Sequence, residues 1–287
     1  MIIGCHVNFT NEQLLGCVKQ ALNYGANALM FYTGAPQNTI RKNIDDDLLI
    51  EAKKLMDENK FSMSNVICHA PYIINLANNI SDEKWQFSIS FLKQELSRCK
   101  KMGVKYIAVH PGSAVGLDKA VALTNIADAL NFIIEDDGVM VLLETMAGKG
   151  TECGCTLEEL KFIIDRVNSN NIGVCLDTCH LNDAGYDMSK FDEFLDLFDK
   201  VIGLDKIHCV HLNDSKNSFG AKKDRHENIG FGMIGFKTLI NIVYNESLKD
   251  VPKILETPWL DKKFPLYKEE ISMIKNKQFD SDIKNKI

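Results

Sequence analysis

Six short apolar stretches of the chain each reach a histidine or a carboxylate at their carboxyl end. Imidazole and carboxylate ligands without thiolate favour zinc, with manganese or iron as possible substitutes. Buried together without a cation, such groups would repel one another or stay unsatisfied, and a bound metal relieves that penalty. The six residues are His69, His110, Glu144, Asp177, His211 and Glu256.

Three further residues extend this candidate metal centre. His180 follows Asp177 by three positions and can face the same cavity from the turn after the strand. Asp224 and His226 are two positions apart, so their side chains would point to the same side of an extended segment. Three such ligands with open positions are typical of catalytic zinc. Nine candidate ligands exceed the needs of one metal, and with one shared carboxylate they fit two adjacent ions and a third nearby.

We expect the other two histidines and the cysteines to have structural roles and not to bind metal. We expect His6 and His208 to be core or barrel-wall residues. The nine cysteines are spread along the chain, several within apolar runs, which is typical of small buried hydrophobic residues in a reducing compartment. None of the close pairs has zinc-finger spacing. These pairs are Cys153 with Cys155 and Cys175 with Cys179.

The candidate ligands need elements that bring them together, and the sequence predicts eight strands. Each strand is a short and nearly continuous apolar run, as expected of parallel strands that are buried on both faces. Their first residues are 26 to 45 positions apart. The predicted strands are Ile2–Val7, Ala28–Tyr32, Asn65–His69, Tyr106–His110, Met140–Glu144, Gly173–Asp177, His208–Leu212 and Lys253–Glu256.

Segments with helical periodicity separate the strands and supply the crossovers that parallel strands require. The clearest are Asn11–Tyr24, Asp82–Lys101, Leu123–Ile134 and Leu157–Val167, and the last begins with a capping box formed by Thr156 and Glu159. Eight such units predict a closed (β/α)₈ TIM barrel, in which the strand ends converge on one mouth. A doubly wound open sheet is the alternative fold, although no G-x-G-x-x-G motif follows the first strand.

Length and composition exclude several classes of protein. The 287 residues show no linker, so we predict a single domain over residues 1–287, with a frayed tail after about residue 270. No apolar run approaches the roughly 20 residues that span a bilayer, and the N-terminus lacks a secretory signal. We therefore expect a cytoplasmic protein without a membrane partner. The net charge of −6 argues against a nucleic-acid protein of the simple basic-patch kind.

Longer motifs surround the candidate ligands. They are His69-Ala70-Pro71-Tyr72, His110-Pro111-Gly112, Leu143-Glu144-Thr145, Gly148-Lys149-Gly150, residues 173–180, residues 184–187, residues 211–215, Asp224-Arg225-His226 and Leu255-Glu256-Thr257. In these motifs the sequence closely resembles the endonuclease IV family of zinc-dependent apurinic/apyrimidinic endonucleases. The likeness extends from Ile3 to about Leu260 and covers nearly the whole chain.

The resemblance implies three zinc ions and a reaction. The ligand groups are His69, His110 and Glu144 for the first ion; Glu144, Asp177, His211 and Glu256 for the second; and His180, Asp224 and His226 for the third. Glu144 is then the bridging carboxylate. The implied reaction hydrolyses the phosphodiester 5′ to an abasic site in duplex DNA, leaving a 3′-hydroxyl and a 5′-deoxyribose phosphate, and the family also cleans 3′ ends. Because zinc lowers the pKa of its water, hydroxide is available near neutral pH without a protein nucleophile.

The resemblance also implies contacts with DNA. Tyr72 and Ile73 match positions that enter the minor groove, and Gln37 and Asn38 lie in the loop with which the family probes the lesion. Loop cations on the mouth side are candidates for phosphate contacts, which position the duplex rather than specify its sequence. They are Lys149, Lys216, Lys222, Lys223 and Arg225. Three zinc ions would offset the net charge of −6, so the acidic balance no longer argues against DNA.

The chain departs from this pattern at two places. Gly34-Ala35-Pro36 stands where some members carry an inserted arginine. Phe231 stands where a charged residue is expected. Because an abasic nucleotide must leave the duplex to reach a cavity, the first departure concerns how the remaining gap is filled. The second concerns a local contact with DNA, and both leave the ligand set intact.

Two other functions remain open from the sequence. A sugar isomerase or epimerase on the same barrel would need one cation, held by four of the nine candidates: Glu144, Asp177, His211 and Glu256. A metal-free DNA-binding or scaffold module would need none of them. Metal stoichiometry distinguishes these functions, since the nuclease needs three ions and the isomerase one. We expect a monomer, because one face of the protein must lie on bent DNA.

Overall fold

The computed structural model describes residues 1–135 and 138–285, and within them the chain forms ten strands and nine α-helices. The strands are β1 (Ile3–His6), β2 (Ala28–Phe31), β3 (Val66–His69), β4 (Tyr106–Val109), β5 (Met140–Glu144), β6 (Ile172–Asp177), β7 (Ile207–His211), β8 (Asp214–Ser215), β9 (His226–Glu227) and β10 (Lys253–Leu255). The helices are α1 (Gln13–Asn23), α2 (Asp46–Glu58), α3 (Asp82–Met102), α4 (Lys119–Ile133), α5 (Leu157–Ile164), α6 (Thr178–Ala184), α7 (Phe191–Val201), α8 (Phe236–Val243) and α9 (Tyr267–Asn276).

Eight parallel strands close into a single barrel. The order around it is β1-β10-β7-β6-β5-β4-β3-β2, so that β10 returns to pair with β1. The predicted TIM barrel is confirmed, the open sheet is wrong, and no predicted strand end is off by more than one residue. The remaining strands, β8 and β9, form an antiparallel hairpin after β7, in which Asp214 pairs with Glu227.

Side chains alternate along each barrel strand, so every second residue points inward. The apolar interior consists of Ala28, Met30, Ile67, Ala108, Leu142, Cys175, Cys209 and Ile254, all fully buried. The outward positions pack against the helices in the larger core. β1 approaches β2 so closely that a Cβ at Gly4 would lie 1.9 Å from the carbonyl oxygen of Ala28, so only glycine fits there.

Local sequence signals explain the helix boundaries. Thr156 accepts a hydrogen bond from the Glu159 amide as predicted, while the Glu159 carboxylate accepts from the amides of Gly154 and Cys155. Helix α2 was not predicted, and it begins where Asp45 accepts hydrogen bonds from two amides of the first turn. Among the described residues, no helix combines the length and apolar character needed to cross a membrane.

The tail after residue 270 differs from the expected frayed end. α9 continues to Asn276, and Ile283 is buried against Leu266 and Met273. The Phe279 ring packs against the rings of Phe231 and Phe236. These apolar contacts order a segment whose Lys, Asn and Asp content had indicated a solvated end.

Candidate metal centre

The candidate ligands form the layer directly above the apolar interior. On six strands the residue two positions beyond an interior apolar residue is a histidine or a carboxylate, so the alternation of the strand directs both side chains inward. The pairs are Ile67 and His69, Ala108 and His110, Leu142 and Glu144, Cys175 and Asp177, Cys209 and His211, and Ile254 and Glu256. His110 and Glu256 each lie one residue past the strand end.

Glu144 lies at the centre of this layer and is 1% exposed. Its Oε2 lies 3.0 Å from His69 Nε2 and 3.3 Å from His110 Nε2. Its Oε1 lies 3.3 Å from His211 Nδ1 and 3.3 Å from His180 Nδ1. The two oxygens of one carboxylate therefore face different sets of imidazoles.

A second group of donors surrounds His211. His211 Nδ1 lies 3.1 Å from Glu256 Oε2 and 3.8 Å from Asp177 Oδ2. One donor atom from each of Glu144, Asp177, His211 and Glu256 lies within 4.8 Å of the others. Three carboxylates around one imidazole are a ligand set for a cation of the hard or borderline class.

The third group lies at the rim of the mouth. His180 is on α6, where Asp177 caps the helix by accepting from the His180 amide at 2.8 Å. His180 Nε2 lies 3.0 Å from Asp224 Oδ1, and His226 Nε2 lies 3.7 Å from the same atom. Asp224 and His226 approach each other as predicted, but the segment between them is not extended as the prediction assumed. Asp224 has a φ of +55°, which is the left-handed region.

Electrostatics couple the three groups. Burial alone would raise the pKa of the Glu144 carboxyl, but the His211 and His110 imidazoles lower it well below its usual range. Burial would lower the pKa of His180, but the carboxylates of Asp177 and Asp224 raise it well above its usual value. The protein groups alone thus stabilise Glu144 as an anion and the His180 imidazole as a cation.

Unpartnered nitrogen atoms show that these residues fit a cation. Both ring nitrogens of His211 and Nε2 of His226 are buried and make no well-aligned hydrogen bond within the described ranges, although His211 Nδ1 and His226 Nε2 face carboxylate oxygens at 3.1 and 3.6 Å. An unmade hydrogen bond at a buried polar atom costs about 1–3 kcal/mol, and native proteins rarely tolerate several together. Coordination of a cation by neutral imidazole would satisfy these atoms.

Comparisons with known proteins show the family to which the chain belongs. A family model described as xylose isomerase-like TIM barrel matches residues 18–277. Probable endonuclease 4 of Mesoplasma florum is 47% identical over 290 residues, which cover 99% of each chain. Probable endonuclease 4 of Staphylococcus aureus strain JH9 is 49% identical over 295 residues, which cover 100% of this chain and 99% of its own. The chain belongs to the endonuclease IV family.

A solved structure of the endonuclease IV family matches the fold over almost the whole chain. Endonuclease IV from Thermus thermophilus superposes with a TM-score of 0.82 at 27% identity, and the match covers 96% of this chain and 98% of that one. The family resemblance inferred from the motifs is therefore confirmed. The nine candidate ligands lie together at one mouth of this barrel.

His6 was predicted to be a core or barrel-wall residue, but it lies at the mouth of the barrel. Its Nδ1 is 3.3 Å from Glu256 Oε1, and its ring packs 4.7 Å from that of Tyr32, which in turn lies 5.1 Å from His69. His6 is two positions beyond Gly4, so the inward alternation that located the other ligands could also have found it. His208 lies at the opposite end of the barrel, stacked on Tyr106, as expected of a wall residue.

The residues predicted to contact DNA surround the same mouth of this endonuclease IV family barrel. They are on the loops after β2, β3 and β5 and between β8 and β9. The exposed ones are Gln37, Tyr72, Lys149, Lys216, Lys222, Lys223 and Arg225, while Asn38 and Ile73 are partly buried.

The structure shows which contacts form at the two places that depart from the family pattern. In the loop that contains Gly34-Ala35-Pro36, Arg41 is buried and lies 2.7 Å from Glu95 Oε1, and its Nη1 donates to backbone carbonyls of the loop. Phe231 packs against Phe279, and Lys284 Nζ lies 4.5 Å from the centre of its ring. An aromatic residue at position 231 therefore receives the carboxyl-terminal tail.

Proposed function

We propose that this protein hydrolyses the phosphodiester 5′ to an abasic site in duplex DNA, giving a 3′-hydroxyl and a 5′-deoxyribose phosphate, and that it also cleans blocked 3′ ends. It acts as a cytoplasmic monomer with three zinc ions. The names of its relatives support an endonuclease, and the chemistry of the mouth supports a metal-dependent hydrolysis.

One observation carries this proposal: the two oxygens of Glu144 face two different groups of donors. A carboxylate in that position could serve as a ligand to two cations. His69 and His110 complete the ligands on the Oε2 side, and Asp177, His211 and Glu256 complete those on the Oε1 side. A third ion would be held by His180, Asp224 and His226.

Zinc bound by these residues would lower the pKa of water and neutralise charge on the phosphate oxygens. The protein supplies the geometry for that chemistry. The wall of the site is fully buried at Asp177 and His211, so the donors keep their positions without competing water. Asn213 donates from Nδ2 to Asp177 Oδ2 at 2.8 Å, which orients this carboxylate.

The loops around the mouth would bind the substrate. Tyr72 is 55% exposed beside the cavity, as required of a side chain that enters the minor groove. Lysines 149 and 222 and Arg225 would contact phosphates on either side of the lesion. Such contacts hold the duplex in register while the abasic nucleotide leaves the stack.

A metal analysis combined with an incision assay tests the proposal. The purified protein should contain close to three zinc ions per chain and should nick a duplex with a tetrahydrofuran abasic analogue in EDTA without added magnesium, because buried zinc exchanges slowly. An undamaged duplex of the same sequence is the control. If zinc-loaded protein leaves the abasic duplex intact, the assignment is wrong.

The same measurement separates the nuclease from the isomerase alternative. That reaction would use Glu144, Asp177, His211 and Glu256 and would leave the other five candidates without a role. A protein that binds one ion per chain, converts a keto sugar and ignores DNA would support the isomerase.

A further inference from the structure

Two thiols lie directly beneath the candidate metal centre. Cys175 on β6 and Cys209 on β7 are paired in register, and both are completely buried. A register shift between Val174 and Cys175 brings Cys209 opposite Cys175 and His211 opposite Asp177. Each thiol therefore occupies the inward position immediately below one candidate ligand.

The two thiols and His211 form a compact set of soft donors. One donor atom from each of Cys175, Cys209 and His211 lies within 4.8 Å of the other two. His211 Nδ1 faces the carboxylates of Glu144 and Glu256, whereas its Nε2 is buried without a hydrogen-bond partner in the described part of the chain. The buried Nε2 of His211 can therefore act as a third donor beside the two thiols.

The surroundings of this set distinguish it from the carboxylate layer above. The other side chains of the interior at this level are apolar, among them Ile67, Leu142 and Ile254. Sulfur and imidazole donors in apolar surroundings select soft cations over the hard cations that oxygen ligands bind.

We propose that Cys175, Cys209 and His211 form a binding site for a thiophilic cation of the cadmium or mercury class, on the inner side of the carboxylate layer. Each thiol loses its proton to water as its sulfur forms a bond to the ion, so binding releases two protons. His211 uses Nδ1 toward the carboxylates and Nε2 toward the thiols. An ion at the thiols therefore competes for, or shares, an imidazole that the layer above also uses.

Cadmium titration of the purified protein tests this site with a readout that does not depend on DNA cleavage. Cadmium bound by thiolate gives a ligand-to-metal charge-transfer band in the ultraviolet. We expect this band to saturate at one cadmium ion per chain, and a cadmium NMR signal in the range of mixed sulfur and nitrogen coordination. If the wild-type protein gives no charge-transfer band, the proposal is overturned.

Serine variants identify the donors. Cys175→Ser and Cys209→Ser should each weaken cadmium binding by about tenfold or more, since each removes one ligand. The matched control is Cys99→Ser, because Cys99 is also completely buried but lies on α3 outside the barrel interior. Equal cadmium binding by all three variants would refute the site. If a serine variant unfolds, the NMR signal of the wild type still reports the number of sulfur ligands.

Discussion

Asp183 Oδ2 accepts a hydrogen bond from the backbone amide of Asp224 at 3.0 Å. Asp183 is completely buried and also accepts from Ser215 Oγ and Asn217 Nδ2, and its carbonyl oxygen accepts from the amide of Lys222. Asp224 has a φ of +55°, a conformation that costs of order 1–3 kcal/mol unless its surroundings enforce it. Asp183 is therefore the residue that fixes one donor of the third group.

Replacing Asp183 should affect the third metal selectively. We expect Asp183→Ala to weaken zinc binding by His180, Asp224 and His226 by about 10–100-fold, because the loop that carries Asp224 loses its anchor. Metal analysis after dialysis should give two zinc ions per chain in place of three. Asp187→Ala is the control, since Asp187 is exposed and caps a neighbouring turn. Full retention of zinc by Asp183→Ala would contradict the anchoring role.

Glu144→Ala should remove both metal and activity. Because each Glu144 oxygen faces a separate donor group, its loss weakens two sites together, and incision should fall by at least about a hundredfold. Incision kinetics and zinc content are measured on the same preparation. His208→Gln is the matched control, because this histidine lies at the opposite end of the barrel. A Glu144→Ala protein that cuts at the normal rate would exclude the bridging role.

His6 should act by positioning Glu256. An asparagine at this position places an amide nitrogen near the location of imidazole Nδ1, whereas glutamine mimics Nε2, so His6→Asn should retain more zinc than His6→Gln. The expected difference in zinc affinity is about tenfold. Competition with a chromogenic chelator measures it. Equal affinities of the two variants would mean that the contact with Glu256 is incidental.

Tyr72→Ala should weaken binding to damaged DNA and leave the metals in place. Its side chain is largely exposed, so its removal should change the free energy of unfolding by no more than about 0.5 kcal/mol. Fluorescence anisotropy with abasic and intact duplexes measures the loss, and the binding of intact duplex serves as the internal control. Unchanged affinity for the abasic duplex would remove Tyr72 from the substrate site.

Glu95→Ala should destabilise the fold. Glu95 is fully buried, lies 2.7 Å from Arg41 Nε and accepts from Thr33 Oγ1, so its removal leaves a buried guanidinium without its counter-ion. The expected loss in the free energy of unfolding is about 3–5 kcal/mol. Glu12→Ala removes a similar ion pair, with Lys19, that is about half exposed, and it should cost at most about 1 kcal/mol. Denaturant unfolding compares the two, and equal losses would argue against the buried pair as the cause.

The strand alternation made the barrel and the six strand-borne donors predictable, since inward positions recur every two residues. Contacts between distant polar groups could not be predicted in the same way. Asn213 and Asp183 orient the candidate ligands from buried positions, but nothing in their local sequence indicates which residues they contact. His6 was missed for a different reason, because it was judged by residue type and not by its place in the alternation. The tail was misjudged because Phe279 and Ile283 find apolar partners only once the barrel has formed.

The donors of the centre come from strands, a helix and a loop between residues 69 and 256 that meet only when the barrel has closed. A cation thus finds its complete ligand set only after folding. Its binding then further stabilises a fold that the hydrophobic core already maintains. Stripping the metal should lower the melting temperature and leave the secondary structure in place, unlike the collapse of a small zinc module. Under zinc limitation the protein would then remain folded but inactive, and it would regain activity when zinc is available again.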